Sequence, residues 1–416
     1  MKRILLGQLN ANGDCIYATI LAHQLRNDNP GAHITWAISD RCASLLNNNP
    51  HIDEVWQIPS PGLDMPELMW RVFEREAVRR YLEREYDEIL LSQVSPENYQ
   101  NFDGTVRPSI LRALGRPITV PIENVVCVTE EEAVSVEAFV RERGIMDFEH
   151  RILFECSSRS GQSFITPHLA QEIAARLYRI LPDATVIYTT SEPMQLRDSR
   201  SRYAGHLSLR EIARLTHACS VFVGAGSGCT VLATSSAAKK LPSILLLRDD
   251  TSMFASFAQD FEYFGIRHPG FVEVTDKNPS HIAACIALVC REGTGPALAE
   301  YGGKVSIAFG HYRRAIETYL LRHQRYLDAA HSLLITTDRY GWTQDLIEFA
   351  ARKVAPHLAT DPRWFFPDRR VVGEIFRAKL ADAVKDLASE RLPRSAKDQG
   401  IVLPCACTDS PDDLSQ

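Results

Sequence analysis

The sequence predicts an α/β protein of two doubly wound, Rossmann-like units facing one another, followed by a helical C-terminal extension. Three observations lead there. The chain has 416 residues, beyond the roughly 250–300 at which a single core stops growing. Strand-like and helix-like stretches alternate at short intervals, stop at a proline-containing connector and then begin again. After Gly302 strand signals vanish and only helical periodicity remains.

The first unit, residues 1–120, opens with RILLGQL as a strand and Asp14 to Asn27 as an amphipathic helix. HITWAIS as a second strand and a helix over Arg41 to Leu46 come next. EVWQIP, a charged helical run from Glu67 to Tyr86 and YDEILLSQV complete it, since parallel strands need such crossovers. In LGRPITVPIENVVCV two prolines stop any helix and favour an extended connector, which sets the boundary. The second unit, residues 128–300, begins with a helix from Glu130 to Gly144. RILFECS, a helix over Leu169 to Leu181, ATVIYTT, a helix over Leu209 to Ala218, SVFVGAG, a helix after Ser227 and PSILLL then repeat the alternation. Residues 301–392 read as helices, and 393–416 are polar, rich in Pro and Asp, and expected to be disordered.

Composition narrows the function. With 45% apolar and 24% charged residues the chain reads as a globular protein. A net charge of −6 gives no basic footprint for phosphate backbones, so a nucleic-acid partner is not expected. The ten cysteines lack the spacing of a disulfide framework; Cys405 and Cys407 have no companion ligands, so no zinc site is expected there. The start, MKRILLGQLNANGD, reads as a strand rather than a signal peptide, and no run approaches the roughly 20 apolar residues of a bilayer span. A cytoplasmic enzyme is the expectation. No Asp-x-Asp follows a strand, so the usual metal-diphosphate clamp has no candidate ligands and no metal is expected; no other cofactor is expected either.

In open α/β sheets, ligands bind beyond the carboxyl ends of the strands, which directs attention to the loops there. LNANGDC leaves the first strand; Gly13 permits a turn, and Asp14 either caps the following helix or serves as a general base. The residues alone leave both open. GAGSG leaves the apolar strand SVFV and opens a helix, so Gly226, Ser227 and Gly228 can turn N–H donors toward a diphosphate, or simply make a tight turn. ECSSRSGQS offers Ser157, Ser158 and Arg159, the arginine able to fork onto phosphate oxygens or to remain a surface group. Asp249 is a candidate sugar contact, although for Asp249 and Asp250 a capping role ranks first. Asn10, Asn12, Gly13, Tyr17 and Arg107 are weaker candidates for acceptor or sugar contacts.

The run RILLGQLNANGDCIYATILAHQLRNDNPGAHITWAISDRCASLLNNNPHIDEVWQIP resembles the N-terminal stretch of the ADP-heptose lipopolysaccharide heptosyltransferases and their relatives. LSLREIARLTHACSVFVGAGSGCTVLATSSAAKKLPSILLL is similar to the family's later helix, strand and phosphate-facing loop. The resemblance implies a GT-B fold. It also implies an inverting, metal-independent transfer of a hexosyl or heptosyl group from a nucleotide sugar to a glycan or lipid-linked acceptor, in bacterial surface polysaccharide biosynthesis. Asp14 falls on the family's catalytic base. Where the family carries Asp-Thr-Gly-Pro with a His two residues on, this chain has Gly226, Ser227, Gly228 and Cys229, then Val231; heptose as the sugar is therefore not implied. A Lys that relatives use after the second unit's first strand is also missing, and Arg159 stands in for it. A nucleotide-sugar epimerase and a non-catalytic nucleotide-sugar binder remain as alternatives. In such transferases a late helix crosses back to the first unit, and one after Gly302 is expected to do so. HYRRAIETYLLRHQRYL reads first as a packed helix with a solvated basic side, and second as a basic, aromatic face for peripheral contact with the inner membrane.

Overall fold

The computed structural model describes residues 1–60, 66–190, 192–302, 305 and 309–389; the stretch expected to be disordered, with Cys405 and Cys407, lies outside them. The first unit runs β1 (Arg3–Gly7), α1 (Asn12–Asp28), β2 (His33–Ser39), β3 (Glu54–Ile58), α2 (Pro66–Leu82), β4 (Glu88–Leu91) and α3 (Val106–Arg112). Its sheet is parallel, in the order β3-β2-β1-β4. A short 3-10 turn, Ala43–Leu46, stands where a helix over Arg41 to Leu46 was expected.

The second unit runs α4 (Glu130–Glu142), β5 (His150–Glu155), α5 (Pro167–Ile180), β6 (Ala184–Thr189), β7 (Ser201–Tyr203), α6 (Leu209–Leu215), β8 (Val221–Gly224) and α7 (Gly228–Ala233). β9 (Ser243–Leu246), α8 (Ser252–Ala255), α9 (Phe257–Tyr263), β10 (Phe271–Val274) and α10 (Pro279–Glu292) follow. Its six strands are all parallel, ordered β10-β9-β8-β5-β6-β7. β7 and β10 have no counterpart in the sequence expectation. Then come α11 (Thr294–Tyr301), α12 (Phe309–Tyr319), α13 (Tyr326–Tyr340), α14 (Gln344–Phe349) and α15 (Pro367–Ala388).

Strands buried on both faces alternate between two packed layers. In β1, Ile4 and Leu6 face a large central core while Leu5 faces the smaller cluster under α2. In β5, Leu153 enters that same central core, whereas Ile152 and Phe154 point to the layer of α5 and α10. The inner faces of both sheets, and Tyr312, Leu333 and Phe376 of the C-terminal helices, thus share one apolar core.

The C-terminal helices lie against the first unit. Ser332 Oγ of α13 donates to the Phe102 carbonyl at 2.5 Å, Arg325 donates to the Glu97 carbonyl at 2.7 Å, and Tyr319 stacks on Tyr99 with ring centroids 4.0 Å apart. Tyr312, Ile316 and Leu320 are buried, and Arg325 is closed on Asp328. The segment HYRRAIETYLLRHQRYL is therefore not one helix but most of α12, a 3-10 turn over Leu321–His323 and the start of α13; Tyr312 packs inward while Arg314, Arg322 and His323 stay exposed.

A buried ion network ties the three parts together. Asp103, fully buried, accepts from Arg112 at 2.6 Å and from Arg339 of α13 at 2.9 Å. Arg107 Nε donates to Asp260 of α9 at 2.5 Å. Breaking such a pair costs about 3–5 kcal/mol, because an unpaired charge stays buried.

At the front the two units meet through their helix starts. A Cβ added at Gly228 would lie 3.2 Å from Asn12 Cβ and 3.4 Å from Gly13 N; one added at Gly13 would lie 3.4 Å from Gly228 Cα. A Cβ at either position would press its neighbours by a few tenths of an ångström, and a bulky side chain by more. Gly228→Val is expected to lower stability in urea unfolding by about 1–3 kcal/mol through overpacking. Gly31→Val, where an added Cβ meets nothing within 4 Å, should stay near wild type; equal losses in both would show that the contact does not constrain the fold.

Candidate functional site

The strand order reverses beside β1 and beside β5, so the loops after them open into crevices at the carboxyl ends of the sheets. Both crevices join in one cavity of about 630 Å³. From the first unit come Asn10, Asn12, Gly13, Asp14 and Arg107; from the second come Glu155, Ser157, Arg159, Ser160, Gln162, Thr190, Gly226, Ser227 and Gly228.

Asp14 occupies the first turn of α1 but not its cap; Ala11 is the cap residue and has no side-chain cap bond. Its carboxylate is partly open to the cavity, with protein of both units around it. Loss of water raises its pKa from 3.8 to about 7, against the opposing effects of the Arg107 charge and a hydrogen bond from the Ala11 backbone. A carboxylate poised near neutrality takes up a proton with little penalty and can release it again.

Several sequence candidates do other work. Arg107 borders the cavity, yet its guanidinium is held by Asp260 and by the Ser256 carbonyl at 2.8 Å, and lies 3.8 Å from the Phe257 ring centre. It ties α9 to the first unit, and its charge lowers the pKa of Asp14. Tyr17 is buried in the core and absent from the cavity wall. Ser158 Oγ is likewise buried, and Asp249 does not line the cavity. Nor do Asp249 and Asp250 cap the next helix, whose cap residue is Thr251; Asp250 pairs with Arg248 at 3.0 Å. Asn12 Oδ1 accepts from the Cys42 thiol at 3.1 Å, and Ser157 Oγ pairs with Thr190 Oγ1 at 3.0 Å.

The glycine loop gives the largest correction. Its donors are expected to face a diphosphate, but the buried Glu155 carboxylate takes several of them. Ala225 N–H and Thr230 Oγ1 each donate to it at 2.7 Å, and the Ser227 hydroxyl donates to its other oxygen. Gly226 N–H donates to Thr230 Oγ1 at 3.0 Å. Burial pushes the Glu155 pKa up, and the hydroxyl and backbone donors oppose it. Sequence reasoning passes over Glu155; its one signal is an acid ending the apolar run RILF. Gln162 is also missed: its Nε2 donates to the Gly226 carbonyl at 3.1 Å while its buried Oε1 has no partner.

Among the described residues, no group of three or more His, Cys, Asp or Glu side chains converges as a metal site, and no helix is long and apolar enough to cross a membrane. No protein-family model and no curated protein matches the chain. Among solved structures, it is similar to a glycosyl transferase family 9 protein from Veillonella parvula at 17% identity, covering 77% of this chain and 98% of that one, with a TM-score of 0.48. It is similar to the E. coli ADP-heptose lps heptosyltransferase II at 16% identity, covering 61% and 87%, with a TM-score of 0.42. A putative UDP-N-acetylglucosamine 2-epimerase from Listeria monocytogenes follows at 12% identity, covering 76% and 95%, with a TM-score of 0.43. Heptosyltransferases, the family the sequence resembles, are thus among them.

Glu155→Ala leaves the Ala225 N–H and the Ser227 and Thr230 hydroxyls without their acceptor. Urea unfolding should show a loss of about 1–3 kcal/mol, the cost of orphaned buried donors. Wild-type stability in this variant would mean that Glu155 does not organise the loop.

Proposed function

We propose that the chain is an inverting, metal-independent glycosyltransferase that moves a sugar from a nucleotide donor to a glycan or lipid-linked acceptor. The observation that carries this is Asp14: a carboxylate with pKa near 7 in a cavity walled by the switch-point loops of both units. An acceptor hydroxyl gives its proton to Asp14 as its oxygen bonds to the anomeric carbon. The bond from that carbon to the phosphate oxygen breaks on the opposite face, which inverts the centre.

The departing diphosphate gains charge and needs donors. Since Glu155 holds the Ser227 hydroxyl and the Ala225 N–H, that task falls to Arg159 with the hydroxyls of Ser157, Ser160 and Thr190 on the adjoining wall. The sequence resemblance supports a role in bacterial surface polysaccharide synthesis. The departures at 226–231 leave the sugar to be found by a thermal-shift screen of nucleotide sugars, because a ligand of the native state raises apparent stability.

With the donor so identified, Asp14→Asn is expected to keep the thermal shift but lose transfer by about 100-fold or more. EDTA should leave wild-type transfer unchanged. Full turnover in the variant would reduce Asp14 to a helix-turn charge, and EDTA inhibition reversed by magnesium or manganese would overturn metal independence. Conversion of the donor to an epimer without acceptor would replace transfer by epimerisation.

A further inference from the structure

The turn entering α15 turns two adjacent aromatic rings outward. Phe365 is 84% exposed and Phe366 is 62% exposed, and Val371 and Ile375, one helical turn apart, extend the apolar surface along α15. This is no loose end. Asp361 accepts from the Arg363 backbone at 2.9 Å and its guanidinium at 3.0 Å, and from Leu327 N–H of α13 at 2.9 Å. Arg363 in turn donates to Asp328 at 2.9 Å. The neighbouring Trp364 turns inward onto Gly373, where an added Cβ would lie 2.6 Å from its ring. A turn pinned at Asp361, Arg363 and Trp364 presents Phe365 and Phe366 by construction.

The charge around them is distinctive. Between residues 365 and 380 Arg369, Arg370, Arg377 and Lys379 outnumber Asp368 and Glu374, in a chain whose net charge is −6. On α15 Arg370 pairs with Glu374 at 3.3 Å and Arg377 lies over the Trp364 ring, yet the segment keeps its excess of cations; on α2, where Leu68, Val72 and Leu82 are also exposed, Arg79 and Arg80 are closed on Glu76, and Arg79 on Glu83 as well. Exposed rings amid net positive charge suit an anionic bilayer, where apolar groups enter the interface and cations meet lipid phosphates. A second copy fits poorly, because a two-fold contact sets the same cations against one another.

We propose that the Phe365–Phe366 turn and the first half of α15 form a seat for an anionic phospholipid membrane. This surface is distinct from the α12 segment that the sequence suggested, and it does not rest on the reading of Asp14. The test is co-sedimentation of the full chain with vesicles of equal parts phosphatidylglycerol and phosphatidylcholine, compared with phosphatidylcholine alone. Wild type is expected to bind the anionic vesicles, less so as salt is raised. Phe365→Ser with Phe366→Ser, and separately Arg369→Glu with Arg370→Glu, should weaken binding by about tenfold or more. Leu68→Ser with Val72→Ser should leave it unchanged. Circular dichroism checks that these surface variants remain folded. Failure of wild type to bind, or wild-type binding by the Phe variant, overturns the proposal. A wild-type dimer by light scattering that the Phe variant converts to monomer assigns the face to a second copy, and also overturns it.

Discussion

The close approach of Gly13 and Gly228 is the contact on which the rest of the site depends. Two helix starts from different sheets come together glycine against glycine, with the Asn12 and Val231 side chains packed at the contact. Asp14 follows Gly13 directly, and Ser227 precedes Gly228, so the same contact carries both flanking groups to the cavity wall. The asparagine-rich first loop and the glycine loop serve this approach before they serve a ligand. Water is thinned around Asp14 for the same reason, and its raised pKa follows from the packing.

What holds the approach in place lies behind it. The Asp103, Arg112 and Arg339 cluster and the Arg107 to Asp260 pair join the first unit, the second unit and α13. Buried ion pairs add little net stability over apolar packing, but a misplaced partner leaves a buried charge exposed to its full desolvation cost. Such pairs penalise wrong relative placements of the parts. Glu273 on β10 organises its surroundings without an ion pair, accepting from Ser256 Oγ, from Ala258 N–H at 3.0 Å and from Val305 N–H at 3.2 Å.

Much of the fold was legible because its central strands, among them β1, β2 and β9, are buried on both faces. RILLG, HITWAIS and SILLL announce themselves as apolar runs whichever layer each side chain enters. β7 was illegible, with only three residues, SRY, and β10 was hidden by Glu273 in the middle of FVEV. The site was legible as places more than as roles. Asp14, Arg159 and the glycine loop could be located from strand ends, since local order fixes where a loop emerges. Arg107 could not be understood locally, because its partner Asp260 is 153 positions away. Glu155 was missed because an acid at a strand end looks ordinary until the loop that wraps it is in view.

The central claim is that the junction of the two units turns Asp14 into a base poised near neutrality. A carbon-13 NMR titration of aspartate side-chain carboxyls reads this directly, with Asp14→Asn identifying the resonance. Because desolvation disfavours the charged form, Asp14 should still be protonated at pH 5 and ionise with a midpoint of about 7. Folding stability attributable to it should then be highest below the unfolded carboxyl pKa of about 3.9 and fall as pH rises through 7. A midpoint near that of an ordinary aspartate would contradict the claim, since a solvated Asp14 would be a helix-turn charge and nothing more.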